Sequence, residues 1–247
     1  MKKILSIIIL VVSAVCVVSC SKTAEKPSKV WLHRANDVAK ARYFQDKYAG
    51  FEVDVHFVDS LNTFVVQHDF GANSKLRLED WFASIDNRSN LGFWIDFKNL
   101  DYSNMKAAAK ELARLRKTYK LKGMIIVESS DPECLKVFDN LNFRTSYYIP
   151  YINPKELNQE ELQDYTNSIR RNVKKNNLNT ISGFYSQYQY MIDSFPELHK
   201  LTWYERTWDT AVRNYYINLA NEDPKTDVIL IAVKDTIDYS SACLLKK

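Results

Sequence analysis

Four short stretches in the first hundred residues of this 247-residue chain hold side chains able to do chemistry: His33-Arg34, Glu52-Val53-Asp54, His68-Asp69 and Asp96-Phe97-Lys98. Imidazole titrates near neutrality, so His33 and His68 can take a proton from an attacking hydroxyl or water and return one to a departing alkoxide. Glu52, Asp54 and Asp96 supply hard oxygen ligands suited to Mg²⁺ or Ca²⁺, cations that leave room for water and phosphate oxygens. Arg34 and Lys98 can offset the charge that gathers on those oxygens, the guanidinium in bidentate fashion. Together they form the inventory of a metal-assisted phosphodiester-cleaving site. A buried ion-pair network without metal is the plainer alternative, but it gives the two histidines no role.

Each stretch lies at or just after an apolar run that reads as a β-strand. Side chains alternate along a strand, so Glu52 and Asp54 share one face while Phe51, Val53 and Val55 share the other. In the third run Ile95 and Phe97 go outward with the apolar set, and Trp94, Asp96 and Lys98 go inward. Inward charges are costly unless they are paired or bind metal, and their place toward strand C-termini is where barrel enzymes build sites.

Eight strands are predicted: Val30-His33, Phe51-Phe57, Gly92-Lys98, Met124-Ser129, Thr145-Pro150, Ile181-Tyr185, Lys200-Tyr204 and Asp227-Val233. A ninth extended run, Thr63-Gln67, reads as a hairpin partner that folds His68 back toward the end of the second strand. Helical periodicity is clearest at Asn104-Tyr119, Pro132-Leu141, Gln159-Lys175 and Asp209-Ala220. Asp131-Pro132 has the form of a helix start. Four of the five glycines, Gly50, Gly92, Gly123 and Gly183, stand before strand-like runs, as expected of left-handed residues closing helices; Gly71 belongs to a loop. Eight β/α units in one domain argue for a (β/α)8 TIM barrel. A doubly wound sheet would want a glycine-rich turn after the first strand, and His33-Arg34-Ala35-Asn36 is not one.

Lys2 and Lys3, the apolar run Ile4 to Val18 and Ser19-Cys20-Ser21 form the parts of an export signal rather than a spanning helix. Val17-Val18-Ser19-Cys20 resembles a bacterial lipoprotein box; Cys16 is the poorer candidate because Val15 is not small. Residues 1–19 are therefore expected to be a signal peptide, Cys20 the lipidated residue, 20–28 a tether and 29–247 the folded domain. The protein is expected in the bacterial cell envelope, exported and held to a membrane through Cys20. Removing 19 residues from 247 leaves 228, and losing Lys2 and Lys3 takes the formal charge from +4 to +2. So small an excess gives no support for a nucleic-acid partner. Arg170-Arg171 and Lys174-Lys175 lie at helical spacing behind Glu160 and Glu161, as on a solvated helix face. Cys134 and Cys243 have no metal-ligand spacing, and the sequence leaves open whether they form a bridge.

The motifs resemble those of the glycerophosphodiester phosphodiesterases, within the barrel superfamily that includes phosphatidylinositol-specific phospholipases C. His33-Arg34 is similar to that family's strand-one His-Arg, Glu52-Val53-Asp54 to its Glu-x-Asp, His68-Asp69 to its His-Asp after a hairpin, and Asp96-Phe97-Lys98 to its acid-x-Lys. The resemblance implies a divalent cation held by Glu52, Asp54 and Asp96, with His33 and His68 as the acid/base pair and Arg34, Asn36 and Lys98 on the phosphate. Ala35-Asn36 stands where the family has glycine after His-Arg, the hairpin lacks an Asp-Gly turn, and Asp96 replaces glutamate. These departures look more like the menorin-related branch, with its His-x-x-Asn and Asp-Phe-Lys. Resemblance is dense over residues 30 to 100 and rhythmic beyond.

In the later strands Glu128 is a fourth inward carboxylate, able to bind metal or a substrate hydroxyl. Tyr148, Tyr185, Trp203 and Glu205 are placed to shape a pocket for a glycerol or sugar moiety. The reading that follows is a lipid-anchored, metal-dependent phosphodiesterase acting on a glycerophosphodiester or related lipid head group. A surface lipoprotein that binds a phosphodiester or sugar phosphate without turnover is the alternative.

Overall fold

The structure, a computed structural model, describes residues 28–69, 71, 74–204 and 210–233. The expected signal peptide, the lipidated Cys20, the tether up to Pro27, Glu205 and Cys243 with its bridge lie outside the described residues. No helix among the described residues is long and apolar enough to cross a membrane.

The chain runs β1 (Val30–Leu32), α1 (Val38–Phe44), β2 (Gly50–Val58), β3 (Thr63–Val66), α2 (Leu78–Ser84), β4 (Gly92–Phe97), α3 (Met105–Thr118) and β5 (Ile125–Ser129). It continues through α4 (Lys136–Asp139), β6 (Arg144–Tyr148), α5 (Gln159–Asn176), β7 (Thr180–Phe184), α6 (Tyr188–Ser194), β8 (His199–Tyr204), α7 (Thr210–Glu222) and β9 (Thr226–Ile231). Eight strands pair in parallel from β1 through β2, β4 and onward to β9, and β9 pairs back with β1. That closure makes a (β/α)8 barrel and removes the doubly wound alternative. β3 lies outside the ring, antiparallel on β2.

Every expected strand is present. The stretch after Asp131 is not one helix: Pro132–Leu135 winds as a 3-10 turn, with the Asp131 side chain accepting from the Glu133 N–H, and only Lys136–Asp139 is α-helical. α5 starts on a reciprocal cap, Asn158 accepting from the Glu161 N–H while the Glu161 carboxylate accepts from the Asn158 N–H.

The glycines have another purpose than the one expected. Gly71 is the glycine with positive φ, at 82°, while left-handed backbone at helix ends is supplied by Lys120, Asn142 and Asn177. Gly50 and Gly92 instead clear space for Trp31: a Cβ would stand 2.4 Å from Trp31 Cδ2 at Gly50 and 2.3 Å from Trp31 Cη2 at Gly92. Trp31 plugs the N-terminal end of the barrel and joins an interior cluster of Trp94, Ile126, Leu201, Val228 and Leu230. The outward residues Phe51, Val53, Val55, Phe93, Ile95 and Phe97 join a separate core between strands and helices, where Trp81 and Phe82 of α2 pack. The inner and outer phases expected from alternation are therefore those observed.

Candidate active site

Three devices bring the charged stretches together at the C-terminal end of the barrel. The first is the turn after β1, where Arg34 takes φ 51°, a left-handed conformation that costs a non-glycine residue about 1 kcal/mol. It aims the Arg34 N–H at Glu52 Oε2, 2.6 Å away, and lets the Ala35 N–H reach the Glu52 carbonyl at 2.9 Å. The second is register: Glu52 lies beside Trp94 and Asp54 beside Asp96 on β2 and β4, and Asp96 lies beside Glu128 on β5. The third is the β2–β3 hairpin, closed by a left-handed Asn62. After it the Gln67 N–H donates to the Asp54 carbonyl at 3.0 Å, which brings His68 to the level of Asp54.

The result is a cavity of about 160 Å³ lined by His33, Arg34, Glu52, Asp54, His68, Asp96 and Lys98 together with Trp94, Glu128, Tyr148, Trp203 and Leu230. One carboxylate oxygen each from Glu52, Asp54 and Asp96 lies within 4.8 Å of the others. Lys98 Nζ bridges two of them, 2.8 Å from Asp54 Oδ1 and 2.5 Å from Asp96 Oδ2. His33 Nε2 is 3.8 Å from Glu52 Oε2. His68 Nδ1 meets Asp69 Oδ1 at 2.6 Å, and its Nε2 lies 3.3 Å from Arg34 Nη2.

Burial and the charges of Asp54 and Asp96 raise the Glu52 carboxyl well above its usual range. Burial also raises Asp96, against the pull of Lys98. At Asp54 burial is outweighed by Lys98 and by the Asn36 amide, and its pKa falls. Burial, with Arg34 beside it, lowers His33 to about 3 and keeps its ring neutral. Fully ionised, the three carboxylates would carry more negative charge than Lys98 neutralises. Glu52 Oε1 and His33 Nδ1 are buried with no hydrogen-bond partner among the described residues. An orphaned carboxylate oxygen within a set of three hard oxygens fits a divalent cation such as Mg²⁺ or Ca²⁺. Glu52, Asp54 and Asp96 would hold it, and it would supply Lewis acidity toward phosphate oxygens.

Three residues stand differently from their expected places. Asn36 does not line the cavity: it donates to Asp54 Oδ2 at 2.6 Å and accepts from the Asp54 N–H at 2.9 Å, orienting that carboxylate from behind. Glu128 lies outside the three-carboxylate group. Its Oε2 accepts from Trp94 Nε1 at 2.7 Å and its Oε1 from the Ser182 hydroxyl, and burial next to Asp96 pushes it to about 8. Tyr185 packs on Phe184 and Tyr204, away from the lining.

Sequence reasoning passed over His56 and Ser182. His56 continues the inward phase of Glu52 and Asp54, and its Nε2 is 3.5 Å from the His68 carbonyl; the period of two was the signal for it. Ser182 had none, because its role depends on Glu128 reaching across the barrel.

No protein-family model matches the chain, and no curated protein matches it. Solved structures share its fold. A glycerophosphodiester phosphodiesterase from Parabacteroides distasonis superposes with a TM-score of 0.58 at 18% identity, covering 83% of this chain and 92% of that one. An Oleispira antarctica phosphodiesterase in complex with the product sn-glycerol-3-phosphate gives 0.57 at 11% identity, covering 83% and 92%. A calcium-dependent phosphoinositol-specific phospholipase C from Pseudomonas sp. gives 0.52 at 12% identity, covering 83% and 88%. The chain thus has the barrel fold of the glycerophosphodiester phosphodiesterases and phospholipase C-like enzymes.

Proposed function

We propose that this protein is a metal-dependent phosphodiesterase that hydrolyses a glycerophosphodiester or related lipid head-group phosphodiester. The observation that carries the reading is the group of Glu52, Asp54 and Asp96, with the orphaned Glu52 Oε1 among its oxygens and His33 and His68 lining the same cavity. The fold it shares with enzymes of that chemistry supports it. His33, which lines the cavity with its Nε2 3.8 Å from Glu52 Oε2, is placed to accept the proton of the nucleophile. His68, oriented by Asp69 and facing the cavity beside Arg34, is suited to protonate the departing alkoxide. Arg34 and Lys98 stabilise the charge on the phosphate oxygens. The nucleophile is water or a neighbouring hydroxyl of the substrate. The Asp96-Phe97-Lys98 and His33-Arg34-Ala35-Asn36 patterns support a place near the menorin-related branch. Cys20 carries the lipid that holds the enzyme in the bacterial envelope.

The test is a panel of glycerophosphodiesters and phosphoinositides assayed for product. The protein should turn over at least one class, and His33→Ala or His68→Ala should each lower the rate by about 10²- to 10⁴-fold with the fold retained. Unchanged rates in both variants defeat the mechanism.

One observation favours a second reading. Lys98 already bridges Asp54 and Asp96, as it would in a pocket that binds a phosphodiester without turning it over. Saturable binding across the same panel with no product would select that reading.

A further inference from the structure

The turn after β1 is held from outside the cavity as well as from within it. Arg34, at φ 51°, has a left-handed conformation that a residue with a Cβ resists and that persists only where its surroundings over-determine it. On the strand side the His33 N–H donates to the Ile231 carbonyl at 3.0 Å and the Ala35 N–H to the Glu52 carbonyl at 2.9 Å. On the helix side Lys40 Nζ of α1 donates to the His33 carbonyl at 3.2 Å, and Trp81 Nε1 of α2 to the Ala35 carbonyl at 2.8 Å. The His33 carbonyl and the Arg34 N–H are the two ends of one planar peptide. Lys40 therefore grips its oxygen end while its nitrogen end meets Glu52 Oε2 at 2.6 Å.

Packing does not ask for a lysine at this position. Lys40 is 6% exposed, on a helix face shared with Ala41 and Phe44, where an apolar side chain would avoid the cost of burying an ammonium. Its backbone serves the helix, donating to the Asp37 cap at 2.9 Å, but its side chain leaves the helix for the turn. A cation at the oxygen of a peptide and a carboxylate at its N–H polarise that peptide in the same sense, so each bond strengthens the other. We propose that Lys40 is a positioning residue: by gripping the peptide between His33 and Arg34 it aims the Arg34 N–H at Glu52 and thereby sets one ligand of the cation site in place. Lys40 itself is not part of the cavity lining. The proposal rests on the reading of Glu52, Asp54 and Asp96 as the ligands of a divalent cation.

The experiment follows the Arg34 amide by NMR in EDTA and the affinity for Mg²⁺ or Ca²⁺ by calorimetry, both on the full protein. In the unmodified protein the Arg34 amide should be protected from hydrogen exchange although the residue is exposed, and free exchange there overturns the proposal with no variant needed. Lys40→Met keeps the length of the side chain and removes its donor and its charge. It should move the Arg34 amide proton upfield, as the bond to the carboxylate lengthens, and weaken cation binding by about tenfold. Lys40→Leu makes the same test should the methionine variant not fold. Phe44→Leu, on the same buried face of α1, should lower the Tm and leave the Arg34 resonance and the cation affinity as they were. Either signal unchanged on loss of the Lys40 ammonium overturns the proposal, as does a change of equal size in Phe44→Leu. An unmodified protein that binds neither cation defeats the reading of the three carboxylates, whereas cation binding with an unmoved Arg34 resonance in Lys40→Met defeats the role of Lys40 alone.

Discussion

At the N-terminal end of the barrel Gly50 and Gly92 lie under the Trp31 ring, while two and four residues further along the same strands the inward positions hold Glu52, Asp54, Trp94 and Asp96. One end is a dry plug continuing into Ile126, Leu201 and Val228. The other is a set of half-neutralised charges with an orphaned carboxylate oxygen. Strand alternation, pairing and register are common to both ends, so the difference lies only in which side chains point inward. Apolar surface removed from water stabilises the fold, whereas gathered like charge opposes folding until something binds. The plug end thus offsets the strain that the charged end places on the folded state.

Substitutions at the two ends should have opposite consequences. Trp31→Ala leaves a void beneath two glycines and should cost about 3–5 kcal/mol of stability, read by chemical denaturation, with kcat and KM little altered at temperatures where the protein is still folded. A Trp31 variant that loses turnover while fully folded would show that the two ends are not separable. Glu52→Gln should lower phosphodiester turnover by about a hundredfold and raise the Tm of the metal-free protein, because it removes one of three crowded carboxylates. A fall in that Tm would mean that Glu52 contributes to the fold and not chiefly to a ligand site. Gly92→Ala, which drives a Cβ into the Trp31 ring, should cost about 1–3 kcal/mol and spare KM.

The pH dependence of stability is the finest of these contrasts. The Glu128 carboxyl sits at about 8 in the folded protein, against 4.5 for an ordinary glutamate. Between those values the folded chain holds a proton that the unfolded chain has released. The stability this group contributes is therefore present below about pH 4.5 and lost as the pH rises through about 8, by at most about 1.4 kcal/mol per pH unit. Glu52 and Asp96, raised as well, act in the same direction. Denaturation in EDTA at pH 7, 7.5 and 8, above the range in which the lowered His33 adds stability with rising pH, should show stability falling with pH, with a shallower slope in Glu128→Gln. A metal-free protein that gains stability over that interval would contradict the charge balance described for the site.

Much of this was readable in the chain because the charged end leaves a local signal. Charges every second residue within apolar runs mark both a strand and its buried face, which is why Glu52, Asp54, Asp96 and Lys98 could be grouped and the hairpin seen to return His68. The plug end leaves no such signal. What Gly50 and Gly92 do depends on Trp31, many residues away and on another strand, so a local rule about helix ends attached the wrong cause to them. The seven-residue helices α1, α2 and α6 are too short for periodicity to stand out. Asn36 could be matched to a motif, but its turn inward to Asp54 follows from the Arg34 backbone. Ser182 acquires its meaning only across the closed barrel.

The central claim is that Glu52, Asp54 and Asp96 hold a divalent cation on which phosphodiester cleavage depends. The most direct measurement is the rate of alcohol release from a glycerophosphodiester before and after exhaustive treatment with EDTA, and again after Mg²⁺ or Ca²⁺ is restored. The rate should fall to background on chelation and return with at least one of the two cations in the unmodified protein, and fail to return in Glu52→Gln. A rate indifferent to both chelation and add-back would contradict the account.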